Sequence, residues 1–292
     1  MNAIQQLNPK SIDFFDECCA YEALWDEPKM TLPLMAERFK TRPGARPSDF
    51  ISSQALQAYQ NQLKELSQFN FKVLLHGEAE YPNQLRDAAY PVELLYYQGS
   101  LELIKTPLIS VVGTHNPGLQ GINLAVSMVK TLVAAGYTVV SGLEEGINTV
   151  VHQTAMKCGG NTIAFIGTSL SKVYPTANRD LQKKIAEKYL LITQAPFLKY
   201  AKQKFNQNKL FFHERNITMS ALSLGTLIIE AGQTSNILIQ ARAALTQGRK
   251  LLIADYCFNN HNLTWPKKLA KEGAICVNNI DDIEKALKGT SL

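Results

Sequence analysis

From residue 108 almost to the end of this 292-residue chain, short apolar runs alternate with helix-length amphipathic stretches, a pattern that few folds can accommodate. The runs are LISVVG at 108, YTVVSG at 137, NTIAFIG at 161, YLLIT at 189, GTLIIEAG at 225, RKLLIA at 249 and AICV at 274. They predict an α/β fold, a parallel sheet with helices on both faces. Before about residue 75, apolar residues recur instead at helical spacing, as at Leu56, Tyr59, Leu63 and Leu66, with loops marked by Pro28, Pro33 and the run 41–47. The chain therefore divides into a small helical domain over 1–75 and an α/β domain over 76–292. The segment carrying Tyr81-Pro82 and Tyr90-Pro91 reads as a connection.

With 46% hydrophobic and 19% charged residues, the chain can bury a sizeable core, which excludes a disordered or fibrous protein. Its longest apolar runs, such as Leu108 to Gly113, are strand-length and far below the ~18 residues that a membrane helix needs. The opening MNAIQQLNPKSIDFFDE has no basic region followed by an apolar stretch, so no signal peptide is read and the cytoplasm is the expected location. Cys18, Cys19, Cys158, Cys257 and Cys276 form neither a disulfide framework nor a C-x-x-C pair, and structural zinc is not expected. A net charge of +5 permits an anionic partner without requiring one.

In a doubly wound sheet, ligands sit beyond the carboxyl ends of the strands, so the residues after each run are the ones to question. Gly113 to Gly121 form a loop able to bring backbone N–H groups to a helix start, which suits a phosphate; tight turns need glycine with or without a ligand. The spacing Gly113-x4-Gly118 resembles a P-loop, but Leu119-Gln120 stands where Lys-[Ser/Thr] is required. G-x-G-x-x-G is absent, and Val140-Ser141-Gly142 offers no acid for a ribose. No G-x-S-x-G or H-E-x-x-H occurs, so neither hydrolase nor metalloprotease has support. No cofactor is expected.

Taken in order, the segments after the runs resemble one family. They are Tyr81-Pro82-x2-Leu85, Val111-Val112-Gly113-Thr114, Ser141-Gly142-Leu143-x2-Gly146-Ile147 with His152, Gly159-Gly160-x-Thr162-Ile163-Ala164, Tyr174-Pro175-x2-Asn178-x2-Leu181, Arg215-Asn216, Glu230-Ala231 and Glu272-Gly273-Ala274. The set is similar to the DprA/Smf family over about residues 75–280. The resemblance implies a Rossmann-like, doubly wound, mostly parallel sheet preceded by a small helical domain, a homodimer and a non-enzymatic role in which single-stranded DNA is bound and RecA is loaded onto it. Carried over by motif, the implied DNA-binding positions are Gly113, Thr114, His115, Ser141, Gly142, Gly146, Arg215, Asn216 and Ser235.

Departures from the family pattern fall on charge. His115 stands for an arginine, Glu145 for a frequent lysine and Ile217 for a second arginine, which weakens the expected phosphate pocket because each lost contact removes a counterion-release contribution. The residues themselves offer a second basic surface. Between Lys199 and Arg215, the cations Lys202, Lys204 and Lys209 are interleaved with Tyr200, Phe205, Phe211 and Phe212, and Arg179, Lys183 and Lys184 could extend them. Such a segment reads equally as a single-strand-binding track or as a solvated loop anchored by its aromatics. His152 reads as a family histidine or a hydrogen-bonded core residue, Glu230 as an acid or a helix cap, and Glu144-Glu145 as a changed motif or a solvated helix start.

Two other function classes stay open. A protein-binding role similar to DprA-like antitoxins, which neutralise phosphoribosyltransferase-type toxins in phage-defence modules, would fit pocket erosion and a chain expected to lack the family's frequent carboxyl-terminal winged helix. A nucleotide phosphoribohydrolase would need Pro-Gly-Gly-x-Gly-Thr-x-x-Glu after a strand, whereas Gly225-Thr226-x3-Glu230 here lies within one.

Overall fold

The computed structural model describes residues 12–65 and 70–288, so Leu66 and the extremities of both expected domains, 1–11 and 289–292, lie outside the described residues. Every one of the seven apolar runs forms a strand. They are β3 (Leu108–Val112), β4 (Thr138–Ser141), β5 (Thr162–Ile166), β6 (Leu190–Thr193), β7 (Gly225–Ile228), β8 (Lys250–Ala254) and β9 (Ile275–Val277), and all seven are parallel. Two strands precede them, β1 (Lys72–Leu75) and β2 (Leu94–Gly99), the second inside the segment expected to be a connection. β2 pairs antiparallel with both β1 and β6, giving the order β1-β2-β6-β5-β4-β3-β7-β8-β9. This is a Rossmann-like mixed sheet whose strand order reverses between β3 and β7.

Helices fill the crossovers. α4 (Asn83–Arg86) lies between β1 and β2, α5 (Leu119–Ala134) follows β3, α6 (Ile147–Lys157) follows β4 and α7 (Arg179–Lys188) follows β5. After β6 come α8 (Phe197–Lys202) and α9 (Phe205–Leu222), and after β7 α10 (Ile237–Thr246). α11 (Asp255–Phe258) and α12 (Trp265–Lys271) follow β8, and α13 (Ile280–Leu287) follows β9. Alternate residues of β3 face opposite cores. Ile109 and Val111 join Val129, Leu132, Val151 and Ile283 on the side of α5, α6 and α13, while Leu108 and Val112 join the larger core that includes Met219 and Ala241.

Ahead of the sheet stand α1 (Phe14–Asp26), α2 (Leu32–Lys40) and α3 (Ser53–Leu63). α1 begins where the Asp13 carboxylate accepts the N–H groups of Phe15 and Asp16 at 2.9 and 3.1 Å, and Asp16 and Glu17 complement its dipole. Its buried face meets the segment after β6. Trp25 packs edge-on against Phe211 at 5.8 Å, and the Lys199 ammonium donates to the carbonyls of Trp25 and Met30 at 2.9 and 2.7 Å. Buried Glu22 accepts from the N–H groups of Phe197 and Leu198 at 2.7 and 2.9 Å and from the Tyr96 hydroxyl at 2.8 Å, tying α1 to the start of α8 and to β2. Glu214 of α9 reciprocates by accepting the N–H of Leu32 at 3.0 Å. The basic segment expected between Lys199 and Arg215 is thus two helices rather than a loop, because Tyr200, Phe211 and Glu214 are buried along it.

Burial pushes Glu22 up from 4.5 to about 7. The folded state then holds a proton that the unfolded chain releases above 4.5, so this group's contribution to stability is full below 4.5 and is lost as pH rises through about 7. Replacing Glu22→Gln should cost about 1–3 kcal/mol at pH 4.5, where the carboxyl is protonated, since the amide nitrogen cannot accept as the carboxyl oxygen it replaces can. Denaturant melts across pH 4.5–7 should also show a shallower loss of stability with rising pH in the variant than in the parent. Parallel profiles would remove Glu22 from the groups that take up protons on folding.

Candidate nucleic-acid interface

At the carboxyl edge of the sheet, α9 lays Arg215 across the end of β5. The residue is 2% exposed. Its Nη1 donates to the carbonyl of Phe165 at 2.8 Å, and its Nη2 donates to the Glu144 carboxylate in the loop after β4. The other oxygen of Glu144 accepts from Asn148 Nδ2 at 2.8 Å. Burial acts to raise the Glu144 pKa, but the Arg215 charge and the hydrogen bonds outweigh it and hold the carboxyl below its usual range. Gly142 runs beneath this pair so closely that a Cβ there would collide with both the guanidinium and the carboxylate. Arg215 and Gly142 therefore meet each other, and Glu144, far from a solvated helix start, is the partner of the arginine.

Beside them His152 is buried in the core. Because Gly142 O can only accept, Nε2 carries the proton it donates over 2.7 Å, and Nδ1 faces the Thr162 hydroxyl at 2.7 Å. Burial lowers its pKa to about 4, so the ring stays neutral. Ser141 is likewise buried, donating to the carbonyl of Val111 at 2.7 Å.

A second group forms where the loop after β3 meets the start of α6. Thr114 O accepts the N–H of Ile147 at 3.1 Å, and Gly146, with φ of +77°, lies so close to the carbonyls of Thr114 and His115 that a side chain has no room. Gly113 abuts the Ile147 side chain in the same way. Above them His115, Glu145, Gly146, Thr149 and Asn178 line an open cleft of about 490 Å³. Asn178 closes its base by donating to Leu143 O and to Thr149 Oγ1, both at 2.8 Å. The start of α5, where a phosphate could have been received, holds Glu230 instead. Its carboxylate lies against the N–H of Gly118 and fills the space above Gly121, which is the helix-cap role.

The third group is exposed and aromatic. Tyr174 (41% exposed), Phe205 (52%) and the half-buried Phe212 form one cluster, with ring centroids 5.8 Å apart for Tyr174–Phe205 and 5.5 Å for Tyr174–Phe212. The Lys209 ammonium stands 5.8 Å above the Phe205 ring. Phe212 rests on Gly167, just past β5, one turn of α9 from Arg215. Exposed Lys204 sits at the start of α9, and exposed Arg179 starts α7 five residues after Tyr174. Lys202 is spoken for, its ammonium 2.5 Å from Asp26. Asn216 is half-buried on α9. Ser235 stands just ahead of α10, accepting the N–H of Ile237 at 3.3 Å, apart from the cleft and the aromatic cluster.

With this geometry in place, comparison with known proteins is decisive. The family profile described as DNA recombination-mediator protein A matches residues 72–288. The chain belongs to that family. It is 29% identical to the DNA processing protein DprA of Bacillus subtilis over 71% of this chain and 68% of that one. It is 34% identical to DprA of Streptococcus pneumoniae over 58% of this chain and 57% of that one, and 30% identical to the Escherichia coli protein Smf over 76% and 58%. The crystal structure of the Streptococcus pneumoniae protein superposes with a TM-score of 0.75 at 25% identity, covering 94% of this chain and 98% of that one. The Helicobacter pylori DNA processing protein A, solved for its single-stranded DNA binding mode, shares the fold with a TM-score of 0.64 at 23% identity.

Sequence reasoning named Phe205, Phe212 and Lys209 but not Tyr174, although Tyr174 lay in a quoted motif; no local signal shows that its ring meets two others across a β–α connection. Truncating Glu144→Ala should cost about 3–5 kcal/mol by stranding a buried guanidinium. The double change Glu144→Ala with Arg215→Met should recover much of that loss in denaturant unfolding. Additive losses would show that the two side chains are not coupled.

Proposed function

We propose that this chain binds single-stranded DNA in DNA processing, without chemistry of its own, through the Tyr174–Phe205–Phe212 cluster and the cations around it. The observation that carries the reading is the cluster itself, three aromatic rings, two of them well exposed, at the carboxyl end of β5, with Lys209 over one ring and Lys204 and Arg179 on the flanking helix starts. Bases stack on such rings whatever their identity, and cations beside them track the phosphates. Family membership and the naming of the relatives as DNA processing proteins support the process. In this reading the positions Gly113, Ser141, Gly142, Gly146 and Arg215 shape the strand ends, while Thr114, His115 and Asn216 border the route. A homodimer and RecA as partner rest on the family resemblance alone.

In fluorescence anisotropy with oligothymidylate, Tyr174→Ala with Phe205→Ala should weaken binding by about 1–3 kcal/mol per lost stack, at least about thirtyfold in total. Lys209→Ala should reduce the slope of log K against log salt by about 0.7, whereas Lys202→Ala, already paired with Asp26, should leave the slope unchanged. Unaltered affinity in the aromatic double variant would remove this surface, and failure of the parent to bind at all would favour the protein-binding, antitoxin-like role.

A further inference from the structure

A cavity of about 840 Å³ lies away from the aromatic surface, between the sheet and the helices ahead of it. Its floor comes from the turn after β1 and the residues before β2. Register puts that floor at the carboxyl edge as well, because Leu75 pairs with Leu94 and Tyr96 with Thr193, so His76 and Glu93 lie beyond the end of β6. Its rim is the loop after α2, carrying Arg42 and Arg46.

Glu93 lines this cavity with a side chain only 9% exposed. Its nearest partner is His76 Nδ1 at 3.7 Å, beyond hydrogen-bond reach, and no donor among the described residues bonds to its carboxylate. The nearby Arg86 cannot serve, since its guanidinium is taken by the carbonyls of His76 and Glu78 and stacks over Tyr81. Burial raises Glu93 to about 7, against the lowering effect of the Arg86 charge. The rim has the opposite character. There Lys40, Arg42 and Arg46 stand with one acid, Glu37; Arg42 donates to Asp49 O at 2.8 Å and lies 5.7 Å over the Phe50 ring, and Arg46 forms no ion pair among the described residues. Tyr90, 38% exposed, adds an aromatic ring to the wall.

A ligand that suits all three features offers paired neutral N–H donors at one end, a flat ring between, and negative charge at the other. A cationic ligand would satisfy Glu93 but not the rim, and a bare anion the reverse. We propose that this cavity binds a guanine nucleotide, with the Glu93 carboxylate accepting from guanine N1–H and the 2-amino group, Tyr90 against the base and Arg42 with Arg46 on the phosphate. The site is separate from the aromatic surface after β5 and does not depend on it.

Titration calorimetry of the full chain with guanosine monophosphate tests the assignment. One site should saturate, with affinity at least tenfold above that for inosine monophosphate, which lacks the 2-amino group, and above that for inorganic phosphate. Glu93→Gln should bring guanosine and inosine monophosphates to within about twofold of each other. Arg42→Ala with Arg46→Ala should weaken guanosine monophosphate at least fivefold while leaving guanosine unchanged. Tyr174→Ala with Phe205→Ala should alter none of these affinities. No saturation by guanosine monophosphate at millimolar concentration, phosphate binding as tight as the nucleotide, or full guanine preference in Glu93→Gln would each overturn the proposal. Loss of nucleotide binding in the Tyr174 and Phe205 variant would do so too, by placing the nucleotide on the other surface.

Discussion

Beneath the carboxyl edge of the sheet, the Arg215–Glu144 pair ties together three pieces of chain: α9, the end of β5 and the loop after β4. Burying two charges costs several kcal/mol per ion, recovered only when the remaining polar atoms find partners. Here Phe165 O takes the second guanidinium branch and Asn148 the second carboxylate oxygen, while Arg215 Nε stays buried without a partner among the described residues. With Arg215 held there, α9 has one rotation and one height over the sheet. Phe212, a turn earlier, must then rest on Gly167, and Phe205 and Lys209 must face outward beside Tyr174. The exposed surface is a consequence of the buried pair.

The same pair removes a cation from the strand-end cleft. What remains there is His115 opposite the exposed carboxylate of Glu145, with Glu230 seated where the start of α5 would receive an anion. Positive charge free to meet phosphate lies instead on the rims, at Arg179, Lys204 and Lys209 past β5 and at Arg42 and Arg46 over the β1–β2 end. Glycines that a phosphate cradle would use serve internal packing, Gly113 against Ile147 and Gly142 under the ion pair. The alternation of strands and helices dictates where ligands can sit, and the side chains at that edge then divide it into closed and open stretches.

Much of this fold was legible because doubly buried strands leave unbroken apolar runs, and all seven runs from LISVVG to AICV became strands. β2 escaped since Leu94-Leu95-Tyr96-Tyr97 is equally a short apolar run without alternation, preceded by Tyr90-Pro91, which suggests a loop, and its strand identity comes from pairing with β1 and β6. Lys199 and Lys202 looked like free cations because their partners, Trp25 O, Met30 O and Asp26, are more than 160 residues away in sequence. Arg215 was legible as a motif position, but its partner Glu144, 71 residues earlier, was not. Short-range patterns announce which elements form; which charges cancel is decided by tertiary approach.

The proposed DNA route runs over the open aromatic surface rather than through the strand-end cleft. Photo-cross-linking to an oligothymidylate carrying 5-iodouracil, with the linked peptides mapped by mass spectrometry, reads base contact directly. Adducts should form at Tyr174, Phe205 or Phe212. Adducts confined to the loops 113–118 and 142–146, with none at the three rings, would contradict that route.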